Sequence, residues 1–492
     1  MWRSGASRAC KKAAALAAAA GAIALASCGG SGGSAEPGGP TLSGVAATGA
    51  PMQNATVRIT CAAGPVRTGT TGANGAWTVT LDDQAKLPCI VSAEGGTPPV
   101  VLHSVATAAG TVNITPLTNL VVASAAGDDP AAWLAANSGQ LSTALGTLAA
   151  SLPAAQAAVV ESLADAGYEL PSGDFMTMAF TPAAGDPYDD LLEAVAAGLA
   201  DSGLTYADLV ERVAEAGTTP VAVPKTDVIT AAQVAAMPQL NNATVAVSNG
   251  IAMLETADGT GQTTVGAFFG GGTGNKAVLQ VPGLAGLKVK DLQQVVLEVK
   301  AGSLPSPGGQ PSMYINILVD LDCSMAPLPA TALAQQVRER RRLLIYDPYY
   351  KFILQDNAIS TTAFSTVAIA PDMPGWRISP GAATNPAGQE SQDTGVMEAQ
   401  QSTGKLSTFD HAKYPNACIV DGISADGGLF RDKSADPSCD TSNGLDPNAV
   451  PASCGKLHSG FLVILSDSAN RPASGQWQLR KLMVNERAFT FQ

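Results

Sequence analysis

Three groups of side chains in this 492-residue sequence have the types and spacing to do chemistry. In residues 314–323 (YINILVDLDC), alternation puts Ile315, Ile317, Val319, Leu321 and Cys323 on one face of a strand. Tyr314, Asn316, Leu318, Asp320 and Asp322 take the other. The first face belongs in a core. The second carries Asp320 and Asp322 about 6.5–7 Å apart along the chain. It suits a sugar- or calcium-binding face, the paired acids of a glycosidase, or a solvated outer face. Residues 440–446 (DTSNGLD) offer oxygens from Asp440, Ser442 and Asp446 around Gly444, which suits Ca2+. The EF-hand pattern would want Glu where Pro451 stands, so the full motif fails, and an Asx-turn loop competes with the metal reading. Residues 338–352 (RERRRLLIYDPYYKF) gather Arg338, Arg340, Arg341, Arg342 and Lys351 beside Tyr346, Tyr349, Tyr350 and Phe352. Arg341 and Tyr349, with Trp376 on an expected loop, compose a candidate surface for an anionic glycan or an acidic protein. Internal salt bridges and local core packing are the competing reading.

Other chemistry is poorly provided for. The three histidines are His103, His411 and His458. In Asp410-His411 and His458-Ser459 the partners are adjacent, so on a strand they point to opposite faces and make no dyad. A Gly-x-Ser-x-Gly string occurs at 29–33, but no strand leads into it and no helix follows. The expectation is a noncatalytic binding or structural protein with no cofactor other than Ca2+. The alternative is a hydrolase acting on an extracellular polymer through Asp320 and Asp322. Asp186, Asp189 and Asp190 invite a metal reading as well, but acids just before a helix also suit its N-terminus.

The N-terminal residues speak to location. Arg3, Arg8, Lys11 and Lys12 precede residues 13–26, which are all Ala, Leu, Ile or Gly. Fourteen residues are too few for a bilayer-spanning helix and fit the apolar core of a secretory signal. Leu25-Ala26-Ser27-Cys28 then resembles the lipobox of bacterial lipoproteins. That resemblance implies cleavage before Cys28, a diacylglyceryl thioether on its thiol, and a mature chain of 465 residues. Gly29 after the Cys resembles the outer-membrane sorting pattern of Gram-negative lipoproteins. Losing the four basic residues takes the formal net charge from −13 to −17. So acidic a chain is a poor partner for nucleic acid, and acyl chains rather than a basic patch must hold it to a membrane. Six other cysteines remain, an even number that suggests disulfides in an exported chain. Cys61 and Cys89 share one domain and are expected to pair. On nearness alone, Cys439 is matched with Cys454 and Cys323 with Cys418.

The elements that must position these groups suggest a β, α, β multidomain order. Residues 1–27 read as the signal and 28–40 as a Gly-, Ser- and Pro-rich tether. Residues 41–115 show short alternating strands with a turn at Gly72-Ala73-Asn74-Gly75, the pattern of a small β-sandwich. The order LSGVAATGAPMQNATVRITC, TGTTGANGAWTVTL, PCIVSAEG resembles the carboxypeptidase regulatory-like domain, implying a noncatalytic transthyretin-like sandwich. The following VNITPLTNL is similar to a junction in proteobacterial surface lipoproteins. Residues 116–217 read as four or five helices, with Leu191, Leu192, Val195 and Leu199 at helical spacing and Thr205 with Asp208 as an N-cap. One apolar stripe is expected to run from Trp133 to Leu148. Residues 218–240 read as a linker. Residues 241–492 return to strands and read as a larger jelly-roll-like sandwich, weakly similar at its end to carbohydrate-binding jelly rolls.

Overall fold

The computed structural model describes residues 38–237, 243–257, 276–304, 312–326, 340–379, 395–398, 403–421, 459–466 and 474–492. The signal, Cys28 and most of the tether lie outside them.

The first unit is built from period-two alternation. Its strands are β1 (Thr41–Val45), β2 (Thr56–Ala63), β3 (Arg67–Thr70), β4 (Ala76–Thr80), β5 (Lys86–Gly95), β6 (Val100–Ala106) and β7 (Gly110–Thr111). They form two sheets, ordered β4-β1-β7 and β3-β2-β5-β6. Val57, Ile59, Trp77, Val79, Val91 and Ala93 point inward and close one core. Each Val or Ile side chain among them contributes about 1.5–3 kcal/mol through the area removed from water. The expected turn is present: Gly75 has a φ of +74°, and a Cβ there would lie 2.4 Å from the Ala46 carbonyl oxygen, so no other residue fits. Cys61 and Cys89 face each other across β2 and β5 and are joined by a disulfide.

Five helices follow: α1 (Pro116–Ala126), α2 (Pro130–Ala136), α3 (Leu141–Asp165), α4 (Pro187–Ser202) and α5 (Tyr206–Ala216). Thr115, Asp129, Asp186 and Thr205 cap α1, α2, α4 and α5, satisfying amides that the first turn leaves unpaired. The Thr205–Asp208 pair is a reciprocal capping box, as its spacing suggests. The Trp133 to Leu148 stripe is broken at Asn137, which ends α2 by donating its side-chain amide to the Trp133 carbonyl. By length and composition α3 is apolar enough to cross a membrane. In the fold, its Leu145, Leu148, Leu152, Val159 and Leu163 are buried in the helical core.

The chain then enters a third unit with β8 (Lys225–Ile229), α6 (Ala231–Ala235), β9 (Ala243–Ser248), β10 (Ile251–Thr256), β11 (Lys276–Val281), β12 (Val295–Ala301), β13 (Ser312–Asp320) and β14 (Arg341–Tyr346). It ends with β15 (Ser365–Ile369), β16 (Trp376–Ser379), β17 (Cys418–Ile419), β18 (Phe461–Ser466), β19 (Gly475–Val484) and β20 (Arg487–Phe491). One sheet has the order β15-β12-β19-β10-β9, with β20 also on β19 and β8 on β20. The other has the order β11-β18-β13-β14-β16, with β17 on β13. Their facing sides share a core that includes Trp376, Phe461, Trp477, Phe489 and Phe491. Two expectations are corrected here. Residues 225–229 are not linker, because they pair in parallel with β20 and extend the larger sheet. Trp376 is not on a loop but on β16, opposite Tyr346 of β14.

Candidate functional site

The strand with two informative faces is β13, and burial redraws both of them. Ile315, Ile317 and Val319 enter the inter-sheet core as their alternation requires. The opposite face is buried too: Asn316, Leu318 and Asp320 have at most 1% of their surface exposed. Leu343 and Ile345 of β14, with Val278, Leu462 and Ile464, form a second apolar cluster on that side, and Tyr314 packs on it. Among the described residues, the side-chain amide of Asn316 has no hydrogen-bond partner. Neither an open sugar-binding strip nor a solvated face describes this geometry.

Asp320 anchors the polar end of that face. Cross-strand register sets it opposite Arg341. Its carboxylate accepts from Arg340 Nε at 3.1 Å and Nη2 at 2.7 Å, and from the Asp322 amide at 3.0 Å. Arg340 also donates to the Asp322 and Ala326 carbonyls, so it ties the turn after β13 together. Arg341 Nε stands 3.4 Å from Asp320 Oδ2, an ion pair without the alignment of a hydrogen bond. Burial pulls the Arg341 guanidinium below its ordinary value, while Asp320 opposes that pull. Asp322 faces outward and caps the turn, accepting from Ser324 Oγ at 2.5 Å and Ser324 N at 3.1 Å. Those bonds, the hydroxyl first, hold its carboxyl below the usual range. The neighbouring Cys323 is disulfide-bonded to Cys418 on β17, the strand that pairs with β13.

The recognition surface expected from sequence is therefore not assembled. Trp376 is 1% exposed, packs against Tyr346 with ring centroids 5.0 Å apart and planes tilted by 59°, and donates its indole N–H to the Ala370 carbonyl. Arg341 is 5% exposed and Asp320 1%. These three are corrected from exposed binding groups to buried ones: Asp320 and Arg341 face each other on the interior strands β13 and β14, and Trp376, on the edge strand β16, packs into the inter-sheet core. Tyr349 begins a π-helical turn, Tyr349–Gln355, and its side chain is outside what the structure describes. Asp440, Ser442 and Asp446, with Cys439 and Cys454, also lie outside the described residues. Among the described residues, no group of three His, Cys, Asp or Glu side chains is placed to hold a metal ion. The Asp320–Asp322 pair does not flank a cleft: one carboxylate is held by two guanidinium groups and the other is a turn cap.

No protein-family model, no curated protein and no solved structure matches this chain. Its chemistry has to be read from its own contacts. Two polar junctions stand out, and sequence reasoning had anticipated neither.

The first lies in VNITPLTNL. Asn113 donates through its side-chain amide to the Phe175 and Met178 carbonyls at 3.3 and 2.7 Å. Thr115 caps α1 and meets the Tyr188 hydroxyl at 2.9 Å. Asn119 Oδ1 accepts from the backbone N–H of His103 at 2.9 Å and lies 3.1 Å from its Nδ1. Asn119 Nδ2 in turn reaches the Tyr206 hydroxyl at 3.1 Å, which donates to the Pro116 carbonyl. One buried chain of bonds thus links β6, α1 and α5. Burial lowers the affinity of His103 for a proton, against a smaller opposing effect of Asn119. A run of Asn and Thr at the start of a helix, with no charge nearby, was the available signal.

The second junction joins the helices to the last sandwich. Arg212 Nη1 donates to both carboxylate oxygens of Glu486 at 2.6 and 2.7 Å. Asp227 accepts from Lys225 at 2.8 Å and from Arg487. Thr226 donates to Asp201 at 2.6 Å, and Lys481 to the Asp201 carbonyl.

Asp189, at the start of α4, is 1% exposed, and one carboxylate oxygen has no hydrogen-bond partner among the described residues. Burial first, then Glu193, Asp186 and Asp190, push its carboxyl up from 3.8 to about 6. The unfolded chain ionises at the lower value, so stability falls as pH rises through this interval and levels off above it. Asp189→Asn is expected to stabilise the protein by about 1–2 kcal/mol near neutral pH, with the gain vanishing below about pH 4. Thermal unfolding of both proteins across that range tests it, and a gain independent of pH contradicts it.

Proposed function

We propose that this is an exported, lipid-anchored envelope protein that works without catalysis, as a stiff body carrying its C-terminal sandwich away from a membrane. The lipobox residues ending at Cys28 and the Gly-rich stretch behind them support the anchor. The observation that carries the stiff body is the second junction. A strand from what reads as linker is built into the last sheet, where Asp227 pairs with Arg487 of β20, and the Arg212–Glu486 and Thr226–Asp201 contacts tie that sheet to the helices. Opening that seam gives up the Arg212–Glu486 pair and the Thr226–Asp201 bond, so these contacts hold its two sides together.

The finer fold reading belongs to the same proposal. The first sandwich is taken as carboxypeptidase regulatory-like, supported by its strand-turn-strand sequence order and its paired three- and four-stranded sheets. The last is taken as jelly-roll-like, supported by two facing sheets of mostly antiparallel strands. The partner proposed is a glycan or a surface protein, an expectation from the Arg-rich stretch of an otherwise acidic chain that Arg340 and Arg341, being paired with Asp320, do not themselves support. The location proposed is the outer membrane or cell surface.

Cys28→Ala is the direct test of the anchor. The variant is expected to leave the membrane fraction and appear as soluble, unprocessed or differently processed protein. Membrane association at the wild-type level would remove the lipid from the account. Incubating the purified protein with an acidic glycan panel tests the other half: retention without products is expected, and turnover would replace the noncatalytic reading.

A further inference from the structure

One imidazole is built into the seam between the first sandwich and the helices. His103 lies on β6 with 4% of its surface exposed. Two side chains of α1 hold its backbone as a neighbouring strand would. Asn119 Oδ1 accepts its N–H at 2.9 Å, and Thr118 Oγ1 donates to its carbonyl at 3.0 Å. The first of these contacts also fixes the tautomer. A backbone N–H can only donate, so the Asn119 atom facing it is the carbonyl oxygen. Nδ1 stands 3.1 Å from that same oxygen and must therefore carry a proton. Nε2 is left as the position for a second one.

The surroundings are poor in countercharge. α1 has no charged residue in its first or last turn, and α5 brings the Tyr206 hydroxyl, which burial keeps protonated. Asp129 favours a charged imidazole, but it is exposed and already accepts from the Ala131 and Ala132 amides as the cap of α2. Within the sheet, Ser92 stands opposite His103 and Arg58 opposite Ser92, so the charge in that cross-strand row is positive. Glu94, opposite Val101, is exposed to water, as are Glu161 and Asp165 of α3 and Asp208, Glu211 and Glu215 of α5.

We propose that His103 makes this seam an acid-sensitive joint, at which β6 and α1 part at mildly acidic pH. An imidazolium buried here, with Arg58 in its row and no buried carboxylate beside it, is costly. Burial accordingly holds His103 below its ordinary value, with Asn119 opposing less. A histidine freed by opening the seam takes its proton near pH ~6.5. The closed seam is thus fully stabilised above that value and weakens as pH falls toward the lowered native one. Asp189 on α4 acts with the opposite sign, and His411 lies in the last sandwich, so the effect has to be read locally. The joint needs neither a lipid at Cys28 nor a ligand.

Hydrogen exchange of the full-length protein, followed by mass spectrometry at about pH 7.5 and about pH 5 and normalised for the chemical exchange rate, tests this. Protection of the β6 and α1 peptides is expected to drop about threefold or more at the lower pH, with β12 and β19 unchanged. His103→Asn keeps an amide donor where Nδ1–H stands and cannot take a proton, so its protection should be the same at both pH values. Asn119→Asp puts a carboxylate beside Nδ1 and should reverse the trend, with higher protection at the lower pH. Equal protection of β6 and α1 at the two pH values in the wild type overturns the joint. A drop shared equally by β12 and β19 also overturns it, since that is global acid unfolding. The same holds for a drop that His103→Asn retains or, where that variant does not fold, one that Asn119→Asp retains with its sign unchanged.

Discussion

Asp320→Ala is expected to destabilise the C-terminal sandwich by about 3–5 kcal/mol, the cost of leaving a buried ion pair without one partner. The carboxylate is 1% exposed and is the countercharge for two guanidinium groups. Removing it leaves both positive charges in a low-dielectric setting and frees the turn that Arg340 holds through Asp322 and Ala326. Arg340→Ala should cost less, because Arg341 already stands 3.4 Å away and can take over the vacated oxygens. Urea unfolding followed by tryptophan fluorescence reads this directly, since Trp376 and Trp477 are both buried in that core. A loss of under about 1 kcal/mol for Asp320→Ala, the size of an exposed pair, would show that the cluster is open to water.

Removing the Cys323–Cys418 disulfide is the second large effect. It joins the turn after β13 to β17 across a sequence separation of 95 residues. In the chain-entropy account, a loop of that size contributes about 4–5 kcal/mol by restricting the unfolded chain. The Cys61–Cys89 bond spans 28 residues, for which the same account gives about 3–4 kcal/mol. Its cysteines already face each other on paired strands, so its loss leaves neighbouring strand contacts in place. The double variant Cys323→Ala/Cys418→Ala is therefore expected to lose more stability than Cys61→Ala/Cys89→Ala. Denaturant titrations of the two variants settle the order, and the reverse order would mean that unfolded-state chain entropy is not the dominant effect.

Much of the local structure was legible because short-range physics decides it. Period two in Val57, Ile59, Trp77 and Val79 leaves one arrangement that hides the apolar side, and these residues are buried. Thr205 with Asp208, and Asp186 before Pro187, satisfy helix amides within one turn, so no distant contact was needed to read them. The pairings of Cys61 with Cys89 and Cys323 with Cys418 also agree with their spacing.

What tertiary structure decided was exposure and partnership. The alternation of β13 says that Asp320 and Ile317 point to opposite sides, but not that both sides are covered. Covering turned a candidate ligand face into a buried ion cluster, and it moved Trp376 from a surface aromatic to a core one. Residues 225–229 carry no distinctive pattern of their own. They become a strand only because β20, more than 250 positions later, presents an unpaired edge to them. Arg212 with Glu486 and Asp227 with Arg487 are likewise pairs whose separations of 274 and 260 residues carry no local signal. The sequence by itself determined which residues turn the same way and which cap, turn or cross-link nearby. Only the packed molecule decided which charges meet and which lose water, because both depend on elements brought together from opposite ends of the chain.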